Sequence, residues 1–413
     1  MSVASASTNT ASEAMPTAEQ HGIKEHSDGR FGFVPVQTRS ARFKSADVSD
    51  FDAVTGREAV WKLSPVAKFT DLTAGELDGS PYEISTAEIS STDTADVDSS
   101  DITVGWVGRD DARIGVAGLP EERASANAWT SFEQALAITV SGEDAKEITV
   151  TRATLGSAPR AAHTIIEAKP FSRAVVILQN NGDARLSENV EIILGESANL
   201  TVVTLQEWND GAVHLSNHFA SVGRDARLKH VVVSLGGSIV RVNPSVHLVG
   251  SGSDIEALGL YFADAGQHLE QQVYVNHDAP HSRSRVTYKG ALQGQGARTV
   301  WIGDVLIGNK ATGTDSYEQN RNLVLTEGTR ADSVPNLEIE TGDILGAGHA
   351  SATGRFDDEQ LFYLQSRGIS EDEARRLVVR GFLTEIVQQI GSPQLEERLQ
   401  ITIEAELTAT EGE

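Results

Sequence analysis

Four segments between residues 196 and 292 share one pattern: ESANLTVVTLQ, GRDARLKHVVVSL, GSDIEALGLYF and SRSRVTYKGAL each set a small polar turn before an alternating apolar strand. Aligning Ala198, Ala226, Ile255 and Ser284 gives spacings of 28, 29 and 29 residues (226 − 198, 255 − 226, 284 − 255). A unit this short cannot bury its own apolar face, so a fixed period of this size predicts coils stacked on one another, a β-solenoid. The surrounding stretch from 160 to 345 agrees. Runs such as Arg173–Leu178, Leu200–Leu205, Leu228–Leu235 and Arg298–Leu306 are rich in Val, Ile, Leu and Thr and are punctuated by Gly, Asn, Asp and Ser, which is the mark of an all-β region. A sandwich of hairpins is the rival. It calls for more tight hairpin turns than Asn181-Gly182 and Asp210-Gly211, the two Asn-Gly or Asp-Gly pairs between residues 160 and 250.

The flanks differ in character. Residues 1–45 are rich in Ala, Ser and Thr and short of large apolar groups, so they cannot offset the entropy of ordering and are expected to form a mobile arm. A flanking region, 46–155, begins with the apolar stretch Thr55–Leu72. It includes a polar surface excursion at 87–103, a short helix over Ser131–Ala137 and a strand over Lys146–Thr151. The solenoid core is placed at 156–348 and a C-terminal helical region at 349–413. There, Asp357–Gln365 forms one helix, and Ser370 and Glu373 form a capping box. Ala374, Leu377, Val378, Gly381, Phe382, Glu385 and Ile386 follow helical spacing, and Pro393 opens a last helix. Such an appendix would cap the exposed end of the solenoid or dock a partner.

Composition narrows the chemistry. Cysteine is absent, which removes disulfides, thiolate nucleophiles and thiolate metal ligands from this chain. With 34 Lys and Arg against 59 Asp and Glu, the formal charge is −25, unfavourable for nucleic acid or an anionic membrane. No apolar run approaches the ~20 residues that span a bilayer, and the first twenty residues lack the basic and apolar regions of a secretory signal. The expected compartment is the cytoplasm. Catalytic signatures fail: Gly303–Gly308 before Asn309-Lys310 is one residue too long for a phosphate loop, and its middle, DVLI, reads as a strand. The pairs His214/His218 and His277/His281 lie in β or loop territory, where four-residue spacing does not bring ligands together as a helix does, and they are expected at the surface or in turns. His349, in GAGHASATG, sits uncrowded at the β-to-helix junction. Nearby Glu338, Glu340 and Asp343 alternate along LEIETGD, so Glu338 and Glu340 share a strand face, either solvated or facing an iron-loading site.

The run Pro335–Glu340 (PNLEIE), then His349, then Phe356–Ile369 (FDDEQLFYLQSRGI) resembles the C-terminal signature of the SufB/SufD family of iron–sulfur cluster assembly scaffolds. Arg57-Glu58 with Trp61-Lys62, Gly223–Leu228, Asn276–Pro280 and Asn320–Leu323 extend the likeness over residues 57 to 390. Lacking cysteine, the chain looks like the SufD branch. The resemblance implies a right-handed parallel β-helix between an N-terminal flanking region and C-terminal helices. It implies a complex with a SufB-type paralogue and two copies of the SufC-type ATPase, which would dock on the helices through Leu377, Val378, Phe382 and Ile386. It also implies no tightly bound cofactor in the isolated chain, but a transient iron–sulfur cluster at the SufB–SufD interface. The family histidine falls on His349. Many relatives carry Cys two positions earlier, where this chain has Ala347, so sulfur ligands would come from the partner. On this reading the protein is a non-catalytic scaffold, Glu338 or Glu340 assists iron entry, and the isolated chain could form a homodimer. The rivals are a secreted-type β-helix carbohydrate-active enzyme and a homodimeric adaptor without a cluster role.

Overall fold

The computed structural model describes residues 23–24, 34–35, 42–90, 101–355 and 358–409. The arm expected at 1–45 lies almost wholly outside them, as does most of the excursion expected at 87–103. The chain divides into two units at Arg42/Phe43. In the first, β1 (Ile23–Lys24) and β2 (Val34–Pro35) pair antiparallel. Everything that follows concerns the second.

Its elements begin with α1 (Thr70–Ala74), β3 (Ser85–Ser90), β4 (Ile102–Gly108), α2 (Arg123–Ser131), β5 (Gln134–Val140) and β6 (Lys146–Ala153). Then come β7 (Arg160–Ala168), β8 (Arg173–Gly182), β9 (Arg185–Leu194), β10 (Asn199–Trp208), β11 (Val213–Val222), β12 (Arg227–Ser234) and β13 (Ile239–Leu248). The series runs on through β14 (Asp254–Ala263), β15 (His268–His277), β16 (Arg283–Leu292), β17 (Arg298–Ile307), β18 (Thr314–Val324), β19 (Arg330–Ile339) and β20 (Ile344–Arg355). Three helices close the chain: α3 (Asp358–Ser366), α4 (Glu371–Val387) and α5 (Pro393–Ala409).

Strands alternate between two nine-stranded sheets. One holds the even strands β6 to β20 and ends on β3; the other holds the odd strands β5 to β19 and ends on β4. Successive even or odd strands pair in parallel, while β3 and β4 join antiparallel. The solenoid expected from the period is therefore present, each coil one even and one odd strand. Strand register stacks like on like: Val176, Val202, His230, Ala257, Val286, Glu318 and His349 occupy one row across the even sheet. Inward residues such as Leu186, Val202, Val246 and Val273 fill the lumen.

The repeat alignment needs one correction. Leu228 pairs with Ile255, a spacing of 27 (255 − 228), so aligning Ala226 with Ile255 slips by two residues. A slip of two leaves every side chain on its own face, so alternation cannot detect it. The later spacing from Ser284 to Ser316 is 32 (316 − 284). A second correction concerns Ser131–Ala137. The helix α2 ends at Ser131, and Gln134–Val140 is a strand whose Ala135, Leu136, Ala137 and Ile138 are all buried. A short apolar run buried on both faces has no period to separate strand from helix.

Helices cover both outer faces. Phe69, Leu72 and Ala124 pack with Val213, Leu215 and Ile239 of the odd sheet. On the even sheet, Val379, Leu383, Ile386 and Leu399 of α4 and α5 pack on Val203, Leu205, Val231 and Leu260. The C-terminal helices thus lie along the side of the solenoid and leave its last coil uncapped. Of the capping box, Ser370 accepts from the Glu373 N–H at 3.3 Å, but the Glu373 carboxylate is taken by Arg376 at 2.6 Å. No helix among the described residues is long and apolar enough to cross a membrane.

Candidate functional site

The last coil is where the fold stops satisfying itself. β19 and β20 end their sheets, and no described strand bonds to their outer edges. An unpaired strand edge is a template for another chain. Leu345 is 81% exposed and Ile339 45%. At the mouth of the lumen Ser351 hydrogen-bonds to Ser333 across the coil at 2.8 Å, and Ser333 donates to Asn320 at 2.8 Å.

His349 sits at this mouth. Contrary to the sequence expectation it lies within β20, not at a junction with a helix, and the boundary drawn at 349 falls inside that strand. Its register partner is Glu318, below it in the lumen row. The imidazole Nδ1 is 3.7 Å from Glu318 Oε1; the His349 side chain is 44% exposed and that of Glu318 1%. Neither oxygen of Glu318 reaches a well-formed hydrogen bond, the Asn336 N–H making only a weak approach. Burial, reinforced by the charge of Asp304, pushes this carboxyl up to about 8, with only a weak opposing pull from the Asn336 N–H. Space for it comes from Gly303: a Cβ there would fall 2.4 Å from Glu318 Oε2 and 2.4 Å from the Trp301 ring. Among the described residues no three His, Cys, Asp or Glu side chains converge as a metal site.

Comparison with known proteins gives this arrangement its context. Residues 151–382 match the family model described as SUF system FeS cluster assembly, SufBD core domain. The iron–sulfur cluster assembly SufBD family protein ML0594 of Mycobacterium leprae is 48% identical over 380 residues, covering 90% of this chain and 94% of that protein. Its counterpart Rv1462 of Mycobacterium tuberculosis is 48% identical over the same share of this chain and 93% of its own. The chain belongs to the SufBD family. A second SufBD family protein of Mycobacterium leprae, ML0593, is 31% identical over 208 residues, half of this chain and 24% of that protein.

The other residues singled out from the SufBD-like signature are not gathered at His349. Glu338 pairs with Leu306 on the odd sheet, and its neighbour Leu337 packs on the lumen core, so Glu338 points away from the lumen. Glu340 lies just past the end of β19, where its Oε2 accepts from the Asn309 N–H at 3.2 Å. Asp343 uses its carbonyl to accept from Gly313 at 2.7 Å. On α4, Ile386 is buried against the even sheet, Phe382 packs at the rim of the same cluster, and Val378 meets Leu361 and Ala374. Leu377 is half-buried. Among the described residues, the large exposed apolar groups of these helices are instead Phe362, at 73%, and Tyr363, at 56%, on α3 and Ile401, at 65%, on α5.

The histidine pairs are also displaced from expectation. His214, His218 and His277 are buried; His281 alone sits in a turn, at φ 57°. Residues four apart on a strand share a face, here the lumen. Glu188 takes Arg152 at 2.6 Å and His214 at 2.7 Å, and Ser216 links it to His218, which meets His230 at 2.8 Å. Desolvation lowers His218 to about 4. Glu318 itself went unmarked in the sequence because the inward row of β18 (Thr314, Ser316, Glu318, Asn320, Asn322) contains no apolar residue to reveal a buried strand.

Proposed function

We propose that this SufBD chain is the SufD-type subunit of a cytoplasmic cluster-assembly complex, a scaffold without catalysis of its own. It pairs with a Cys-bearing SufB-type paralogue and a SufC-type ATPase. His349 offers imidazole nitrogen to a nascent iron–sulfur cluster, the cargo, whose sulfur ligands come from the partner. The observation that carries this reading is the position of His349: half-exposed, inward-facing, on the edge strand that ends the sheet. An imidazole is a suitable ligand for iron, and a chain with no thiol needs a second protein to finish a cluster. The paired unpaired edges of β19 and β20 suit extension by another solenoid's edge strands. That Mycobacterium leprae carries two SufBD proteins, matching this chain at 48% and 31%, supports a paired arrangement. The ATPase would engage the C-terminal helices, and its movement would reach the mouth through α3 and β20.

The test is co-expression with the paralogue and the ATPase from the same genome. The three co-purify, and His349→Ala leaves that complex intact while lowering the activities of cluster-dependent enzymes in cells. Unchanged activities, or a chain that purifies only as a homodimer in the presence of both partners, reject the proposal.

A further inference from the structure

We propose that Glu318 and His349 form a divalent-metal half-site of first-row type, in which Glu318 is the second donor this chain presents to iron. The inference rests on the reading of His349 above and adds a residue to it.

The geometry argues for a shared ion over a simple contact. A hydrogen bond between imidazole and carboxylate closes to below about 3.2 Å, and Nδ1 and Oε1 are held 3.7 Å apart. Two ligands about 2.1 Å from one metal in tetrahedral array stand about 3.4 Å from each other. The observed separation is near that span. Glu318 is 1% exposed, and neither of its oxygens reaches a well-formed hydrogen bond. A buried carboxylate this poorly satisfied is costly unless something else neutralises it, and a cation entering past the half-exposed imidazole does so. The site is also built: the absence of a side chain at Gly303 leaves room for the carboxylate beside Trp301. Nitrogen and oxygen donors without thiolate suit Fe²⁺, Mn²⁺, Co²⁺ or Zn²⁺. With two donors here, the remaining positions face the open edge, where the partner's ligands would close the shell. The carboxylates named from sequence, Glu338 and Glu340, lie off this axis.

The experiment is anaerobic Co²⁺ titration of the full-length chain, which holds no thiol to compete, followed by visible absorption and by the paramagnetic shift of the His349 ring protons. The parent chain shows both signals. His349→Ala and Glu318→Gln each weaken Co²⁺ binding at least tenfold with unchanged thermal midpoints, and Glu318→Asp falls between. If Glu318→Gln unfolds, the ring shift in the parent and the nitrogen/oxygen count from X-ray absorption decide in its place. Parent-like Co²⁺ binding by Glu318→Gln alongside loss in His349→Ala overturns the half-site and leaves the scaffold function standing. Co²⁺ binding unchanged in both variants, with cluster-dependent activities reduced in His349→Ala cells, overturns the half-site alone; normal activities as well overturn both readings.

Discussion

Gly259 lies directly under the Tyr288 ring: a Cβ built on the glycine would fall 1.9 Å from Tyr288 Cδ1. The relation is reciprocal, because Tyr261 covers Gly290 in the same strand pair, where a Cβ would fall 1.8 Å from the ring. Both tyrosines are fully buried, and Tyr261 donates to Asn322 at 2.8 Å. Gly259→Ala and Gly290→Ala each force a ring off its rotamer and should destabilise the chain by about 1–3 kcal/mol, read by urea unfolding. Because the pair shares one lumen layer, the double variant should cost less than the sum of the singles. Additive costs would show that the two contacts are independent.

The solenoid was legible because one physical requirement, that each coil bury its face on the next, repeats itself along the chain. Its details were less so. The slip between Ala226 and Ile255 keeps the face of every residue, so only hydrogen-bond register resolves it. The stripe chosen on α4 (Leu377, Val378, Phe382, Ile386) overlaps the one that packs (Val379, Leu383, Ile386, Val387) at Ile386, with Phe382 at its rim, but is otherwise rotated from it. That helix carries apolar groups around most of its circumference, and the sheet beneath it selects among them. His349 was singled out by the family-like signature around it. Its neighbour Glu318 was not, since a polar lumen row looks like a solvated loop until the coil above it is in place.

Lys289 fastens α4 to β16. Its side chain is 3% exposed and ion-pairs with Glu385; the ammonium lies 4.7 Å from the Phe382 ring centroid and donates to the Phe382 carbonyl at 3.2 Å. Lys289→Ala removes the ion pair, the ring contact and this charged hydrogen bond, a cost of about 1–3 kcal/mol. The loss should appear locally. Limited proteolysis of the variant should cut between α3 and α5 faster than in the parent, while the strands of the solenoid keep their hydrogen-exchange protection. Equal cleavage rates would place the anchoring of α4 elsewhere in its apolar face.

Acid should cost the buried imidazoles their stabilisation well before ordinary carboxylates titrate. Burial lowers His218 and His277 from 6.5 to about 4. Between those values the unfolded chain binds protons that the folded chain refuses. The contribution of these two imidazoles is therefore full above pH 6.5 and falls as pH drops from 6.5 towards 4. Urea midpoints at pH 7.5, 6 and 5 should decline in that order. His277→Gln, whose partners are the hydroxyls of Ser282 and Ser284 at 2.7 and 2.9 Å, should flatten part of the decline. A profile level from pH 7.5 to 5 would mean that these imidazoles are not held neutral.

Arg241 ties the N-terminal flank to the solenoid. The guanidinium is 1% exposed, bonds Glu270 at 3.0 Å and approaches Glu122 at 3.4 Å. It also donates to the Val60 carbonyl at 3.1 Å and lies 4.1 Å over the Trp61 ring. Arginine's proximity holds Glu270 at about 2, despite burial, so this pair's stabilisation is present above pH 4.5 and is lost as pH falls from 4.5 to 2. Arg241→Ala strands two buried carboxyls and should cost about 3–5 kcal/mol. Lysine cannot reproduce the fork and the ring contact, so Arg241→Lys should recover less than half of that. Adding Glu270→Gln to Arg241→Ala removes one stranded charge and should restore stability relative to the single variant. If the double variant is no more stable than Arg241→Ala, the loss arises from the Trp61 packing and not from the buried charge.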